Sequence, residues 1–259
     1  MKLIDAHCHL ETKDFPTADE VIARSKAAGL VHAVVVGQWQ KPGDFGSAMA
    51  LSAQWPDFLS PTMGIHPHDA AQATAEDWKQ LETLCALPAV RAVGEAGLDF
   101  YYSHSPRQAQ DEGFRRQCQL AKRLDKPLVV HVRDAHVECA QILKEEGMSK
   151  GMIHCFTGDW EAGKRYLDMG FHLSISGVVT YKKTEALQAA VSYAPLSALL
   201  IETDTPYLAP IPQRGKKNEP GYIVHTAAKV AELKGVSVEE AALACARNAV
   251  ALLSLPVSL

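Results

Sequence analysis

Six residues in this sequence carry groups that bind divalent cations, and each falls in or just after an apolar run. His7 and His9 lie in IDAHCHL, Glu95 in AVGEAG, His131 ends PLVVH, His154 lies in GMIHC and Asp204 ends LLIETD. On a strand, residues i and i+2 point the same way, so His7 and His9 share a face and Cys8 turns to the other. Taken alone, His-x-His is weak, because a half-buried strand with hydrogen-bonded imidazoles explains it as well. The wider pattern is harder to assign to chance. A charged group after a buried strand is costly unless it is paired or ligated, and five separate runs carry such groups. Four imidazoles and two carboxylates form a mixed nitrogen and oxygen set that suits zinc, manganese or iron and tolerates magnesium. Six ligands exceed the need of one four-coordinate ion. Two divalent cations per chain (Zn, Mg or Mn), sharing a carboxylate and ~3.5–4 Å apart, are the expected solution. Cations so placed acidify water and assist hydrolysis of an ester. Asp204 is expected both to bind a cation and to take the proton from the attacking water, and Glu95 is grouped with it as catalytic.

These groups need a scaffold that brings distant strand ends together. Short apolar runs at 2–7, 32–37, 59–65, 91–99, 127–132, 151–156, 171–176 and 198–204 predict eight strands. Amphipathic segments between them, such as TADEVIARSKAAG, SPRQAQDEGFRRQCQLAKRLD and DAHVECAQILKEEG, predict helices. Gly29 and Gly147 are expected C-terminal caps, and Ser105 before Pro106 an N-cap. The segment 237–253 predicts an additional closing helix. Eight strand–helix units in 259 residues fit an α/β chain of the (β/α)8 TIM-like barrel class, with a doubly wound sheet as the rival. In a barrel the C-terminal strand ends share one face, where active sites are built.

Composition narrows the remaining possibilities. Hydrophobic residues make up 47% and charged residues 22%, the balance of a soluble globular protein with a large core. No linker or composition break divides the chain, so one domain over 1–259 is expected. A net charge of −4 gives no global footprint for coating duplex nucleic acid, although a local basic loop is compatible with it. The N-terminus lacks the apolar stretch of a secretion signal, and no run is long enough to span a bilayer. The cytoplasm is the expected location, with six reduced, scattered cysteines.

The segments DAHCHL (5–10), GIHPH (64–68), GEAGLDFY (94–101), HVRDA (131–135), HCFTG (154–158), ETDTPYLAP (202–210) and RGKKNEP (214–220) resemble the TatD family of metal-dependent hydrolases, within the amidohydrolase superfamily. They resemble its YjjV branch in particular. The resemblance implies a TIM-like barrel with a divalent-metal centre and activity as a metal-dependent deoxyribonuclease, often a 3′–5′ exonuclease. DNA, as a single strand or a 3′ end, is the implied substrate, with no membrane and no obligate protein partner. The ligands it implies are His7, His9, Glu95, His131, His154 and Asp204. Glu95 stands where the bridging carboxylate belongs, and the superfamily's carbamylated lysine has no counterpart in GEAGLD. Hydrolysis of a carboxamide, lactone or aminoacyl ester by the same metals is the alternative chemistry, because fold alone does not choose. A metal-binding protein with little catalysis is the alternative class.

Around the ligands, His66, Arg133, Arg214, Lys216 and Glu202 are the expected substrate-side residues. His66 is read as a phosphate contact or proton donor, against a packing role in its loop. Arg133, and Arg214 and Lys216 with Lys217 in the basic loop, are read as phosphate contacts, against a salt bridge or a solvated face. Glu202 is read as a carboxylate that orients a ligand imidazole or, equally, as a deeper barrel residue paired with a basic neighbour, and Asp5 as one that fixes an imidazole tautomer or, equally, makes a structural hydrogen bond. Phe100, Tyr101, Tyr102 and Tyr207 are candidate stacking platforms for bases.

Overall fold

The computed structural model describes residues 1–10, 14–15, 17–40 and 43–259. Its strands are β1 (Leu3–Cys8), β2 (Leu30–Gln38), β3 (Leu59–Gly64), β4 (Val93–Asp99), β5 (Leu128–Arg133), β6 (Gly151–Ile153), β7 (Phe171–Ile175) and β8 (Leu199–Ile201). They pair in parallel, in chain order. The ring shuts where the chain beyond β8 meets β1. There the Asp204 N–H donates to the His7 carbonyl at 3.0 Å and the His9 N–H to the Thr205 carbonyl at 2.7 Å. The intervening helices are α1 (Ala18–Ala27), α2 (Ala48–Gln54), α3 (Ala75–Ala86), α4 (Arg107–Arg123), α5 (His136–Glu145), α6 (Trp160–Asp168), α7 (Glu185–Tyr193) and α8 (Ile223–Lys234). A further helix, α9 (Val238–Leu253), ends the fold. This is the expected (β/α)8 barrel with its extra C-terminal helix. A doubly wound sheet would reverse its strand order at a switch point, and this order never reverses.

Two apolar regions hold the barrel. The larger joins outward strand faces to the helices. The smaller gathers Ile4, Ala6, Val34, Val129, Met152 and Leu200 against Ala246, Ala249, Leu252 and Leu253 of α9. Ile4 and Val129 come early in their strands, and Asn248 of α9 donates to the Leu196 and Leu199 carbonyls at the start of β8, at 2.9 and 2.8 Å. α9 therefore closes the N-terminal end and leaves the C-terminal end open, and each fully buried large side chain contributes ~1.5–3 kcal/mol.

Element ends follow local chemistry. Gly29 (φ +99°) and Gly147 (φ +64°) sit just past α1 and α5, in the backbone region that glycine reaches cheaply. Ser105 does not cap α4, because Pro106 occupies that position. The Ser105 hydroxyl donates instead to the His68 carbonyl at 2.7 Å and accepts the Ala71 N–H at 3.1 Å, binding the loop after β3 to the loop after β4. The last strands are shorter than expected: β6 stops at Ile153 rather than 156, and β8 at Ile201 rather than 204. The cause lies in the backbone. Cys155 (φ +43°) and Asp204 (φ +56°) leave the extended conformation and carry the chain off the ladder next to the residues that matter for chemistry.

Asp5 has a structural task. Burial pushes its pKa up to about 8, against the lowering effect of the Thr203 hydrogen bonds. Its carboxylate accepts the Thr203 N–H at 2.9 Å and the His7 backbone N–H at 3.2 Å, and it holds no imidazole. It thereby clips β1 to the segment beyond β8.

Gly97, like Gly94, is a position where β4 tolerates no side chain. It pairs with His131 of β5, has φ +152°, and a Cβ there would stand on the His131 carbonyl oxygen. Gly97→Ala is expected to cost roughly 3 kcal/mol or more, read as a lowered urea midpoint. A midpoint equal to wild type would show that the β4–β5 approach is looser than described.

Candidate metal centre

The open end of the barrel holds a cavity of about 550 Å³. Its lining includes His9, His66, Glu95, His131, His154 and Asp204. Strands β1, β4 and β5 deliver His7, Glu95 and His131 directly, while His9, His154 and Asp204 come from the turns just beyond β1, β6 and β8.

Glu95 is the hub, and its two carboxylate oxygens serve different partners. Oε2 lies 3.6 Å from His7 Nε2 and 3.8 Å from His9 Nε2. Asp204 Oδ1 lies 3.8 and 3.5 Å from the same two nitrogens, which are 3.3 Å apart. Donors in a tetrahedron with bonds of ~2.1 Å stand ~3.4 Å from one another, so this set fits a divalent cation of zinc's size. The other oxygen, Oε1, lies 2.8 Å from His131 Nδ1 and 3.0 Å from His154 Nε2. Those contacts are at hydrogen-bond length and would open slightly around an ion. The donor chemistry, two imidazoles and a carboxylate oxygen, also fits a divalent cation.

The far nitrogen of each of these two imidazoles meets a buried carboxylate. His154 Nδ1 lies 3.0 Å from Glu202 Oε1, and His131 Nε2 lies 3.2 Å from Asp99 Oδ2. A neutral imidazole has one donor and one acceptor nitrogen, so a carboxylate on one side turns the lone pair to the other. Nδ1 of His131 and Nε2 of His154 are thus the nitrogens left to face Glu95 Oε1, and the ones a bound cation would take. His66 is turned the opposite way. Its Nδ1 accepts the His68 N–H at 3.2 Å, so its proton sits on Nε2, 3.5 Å from Glu95 Oε1. Burial lowers its pKa to about 4, so the ring is neutral and, with Nδ1 occupied by the His68 N–H, it aims an N–H into the centre.

The TatD-related DNase family model matches residues 4–254. The chain belongs to this family. It is 41% identical to YabD of Bacillus subtilis over 95% of this chain and 97% of that protein. It is 39% identical to YcfH of Escherichia coli K12, covering 93% and 92% of the two chains. Both relatives are named uncharacterized metal-dependent hydrolases. The crystal structure of the TatD homologue YjjV from Escherichia coli K12 superposes with a TM-score of 0.90 at 28% identity, over 98% of each chain.

In this TatD-family chain the sequence-expected ligands His7, His9, Glu95, His131, His154 and Asp204 all stand around one carboxylate. The substrate-side residues divide. His66 and Arg133 line the cavity, as do Tyr102 and Tyr207. Glu202 does not reach substrate space: it is fully buried, accepts the Cys155 N–H at 2.7 Å and the Ser174 hydroxyl, and acts only through His154. Arg214 and Lys216 are absent from the described lining. Arg214 stacks over Tyr181 at 4.4 Å, and Lys216 donates to Gln213 at 2.8 Å. Lys217 is taken up by the Asp14 carbonyl at 2.6 Å. The work of RGKKNEP falls instead to Asn218, whose amide donates to the Thr203 and Tyr207 carbonyls at 2.8 and 2.6 Å and fixes the loop that carries Asp204. Phe100 faces away, under Arg107 at 3.9 Å. Sequence reasoning also missed Asp99, whose only signal was a carboxylate ending the run that contains Glu95.

The electrostatics explain how so many imidazoles share one space. Burial alone would raise the Glu95 pKa, but His154, His66 and His131 hold it well below the carboxylate range. Burial likewise opposes charge on His154, yet Glu95 and Glu202 outweigh it and hold its pKa well above the ordinary imidazole value. His9 and His131 are raised in the same way, by Asp204 and by Asp99 with Glu95. Raised imidazoles keep protons at neutral pH that a cation must displace. Cation binding is therefore expected to release protons near pH 7, with apparent affinity rising as pH climbs through the raised imidazole values. Titration calorimetry in buffers of different ionisation enthalpy measures this release. Binding at neutral pH without proton release would contradict it.

Proposed function

We propose that this TatD-family chain is a divalent-metal-dependent hydrolase of phosphodiesters, a deoxyribonuclease that removes nucleotides from a 3′ end. The observation that carries the reading is the pair of donor sets sharing Glu95 at the floor of a cavity of about 550 Å³, which suits a chain end or a small molecule more than a continuous duplex. The alternative class, a metal-binding protein with little catalysis, leaves that substrate-sized space without a task.

Divalent cations in these two sets supply Lewis acidity and a water nucleophile at neutral pH. His7, His9 and Asp204 would hold one cation and His131 and His154 the other, with Glu95 between them. Asp204, on a turn fixed by Asn218, is the proton acceptor for the attacking water. Its side chain is 13% exposed, so it is reachable from the cavity. His66 Nε2–H donates to a non-bridging phosphoryl oxygen. Arg133 lies over the rings of Tyr101 and Tyr102 at 4.3 and 4.8 Å, forming a cation-bearing aromatic rim. Tyr102 and Tyr207 are the stacking groups for a terminal base, and Tyr207 is 56% exposed.

One observation favours a second reading, hydrolysis of a carboxamide, lactone or aminoacyl ester. Among the described lining residues, Arg133 is the only arginine or lysine. End-labelled single- and double-stranded oligonucleotides, assayed with Mg²⁺, Mn²⁺ and Zn²⁺ beside an ester panel, separate the two. Stepwise loss from 3′ ends supports the nuclease. Ester turnover with intact oligonucleotides assigns the second reading. With one arginine at the rim, nuclease activity on single strands should fall gently with salt, about −0.7 in log–log slope per phosphate contact. Asp204→Asn should lower turnover at least ~100-fold. Wild-type turnover and metal content in that variant would remove Asp204 from both its roles.

A further inference from the structure

The Asp99 carboxylate is fully buried and takes four hydrogen bonds. Oδ1 accepts the backbone N–H groups of Tyr101 at 3.0 Å and Tyr102 at 2.9 Å. Oδ2 meets His68 Nε2 at 2.8 Å and His131 Nε2 at 3.2 Å. The Asp99 backbone is pinned as well, since its N–H donates to Gln110 at 2.8 Å. One oxygen is thus committed to the main chain of its own loop, and the other is aimed at two imidazoles. His131 presents its remaining nitrogen, Nδ1, to Glu95 Oε1 at 2.8 Å, and His68 lines the cavity with its side chain 27% exposed.

We propose that Asp99 is the positioning residue for the second cation: with the cation bound it holds the His131 proton on Nε2, so that Nδ1, 2.8 Å from Glu95 Oε1, is the nitrogen that takes the ion, and the same oxygen anchors His68 at the cavity mouth. The inference rests on reading the centre as a cation site and is independent of the substrate. Its chemistry makes Asn at position 99 a sharper test than Ala. In Asp99→Asn the amide oxygen stays on the Tyr101 and Tyr102 N–H groups, because the NH₂ group cannot accept from them. The NH₂ then faces His131 and His68, and it can only donate. His131 Nε2 must become the acceptor, and its proton moves to Nδ1, where the lone pair is needed. In Asp99→Ala the carboxylate is simply lost, and His131 remains free to choose either tautomer. A role confined to holding the loop predicts the reverse severity, because Asn keeps the backbone hydrogen bonds and Ala loses all of them.

The test has two readouts. In zinc-loaded protein, long-range nitrogen–proton NMR of the imidazoles, with His131 assigned through His131→Gln, should show His131 protonated on Nε2 and zinc-bound through Nδ1 in wild type, and the Nδ1–H tautomer in Asp99→Asn. In zinc titrations with thermal melts alongside, affinity for the second ion should fall ~10–100-fold in Asp99→Asn and less in Asp99→Ala, the first ion should be little changed, and stability should rank wild type, Asn, Ala. Second-ion affinity that tracks stability, or a wild-type His131 protonated on Nδ1, would overturn the proposal while leaving the hydrolase reading in place. Uptake of no zinc by wild type would overturn both.

Discussion

The structure depends on one buried carboxylate. Glu95 sits at the barrel's open end with 3% of its surface exposed, and imidazoles approach both of its oxygens. An isolated buried carboxylate is costly, and crowded imidazoles repel one another once charged. Each side makes the other tolerable. The arrangement stays in register because β4 presses against β5 through Gly97, and because the segment beyond β8 is hydrogen-bonded back to β1.

Around that hub the fold separates stability from chemistry. α9 and the early strand residues fill one end with apolar side chains, so the other end can hold polar groups without dissolving the core. The loops that carry the chemistry are held by polar side chains rather than by packing. Asp5 grips Thr203, Asn218 grips the Thr203 and Tyr207 carbonyls, and Ser105 joins the loops after β3 and β4. Hydrogen bonds of this kind set direction as well as energy, which a site that orients imidazoles requires.

A second ring of carboxylates does the aiming. Glu202 and Asp99 stand behind His154 and His131, and their other contacts are backbone N–H groups, a hydroxyl and, for Asp99, the His68 imidazole. His66 receives the opposite instruction from a backbone N–H, and so it faces the same space as a donor. Acceptors and donors are thus sorted around one cavity by what lies behind each ring. This sorting lets a single histidine-rich floor both receive cations and address a substrate oxygen.

The sequence by itself determined the barrel, the end on which the candidate ligands would collect, and Glu95 with the five groups around it. Those follow from period-two apolar runs, chain order and residue type, all of which are local properties. Strand lengths at β6 and β8 were overestimated, since the left-handed turns at Cys155 and Asp204 answer to the site and not to propensity. Only the tertiary structure decided which charged side chains face the cavity. Arg214 turned to Tyr181, Lys216 and Phe100 to the nearer Gln213 and Arg107, Glu202 went beneath His154, and Asp99 and Asn218 took tasks that no spacing announced. The physical reason is that a hydrogen bond is satisfied by whatever donor or acceptor the fold brings within ~3 Å, and such neighbours stand far apart along the chain.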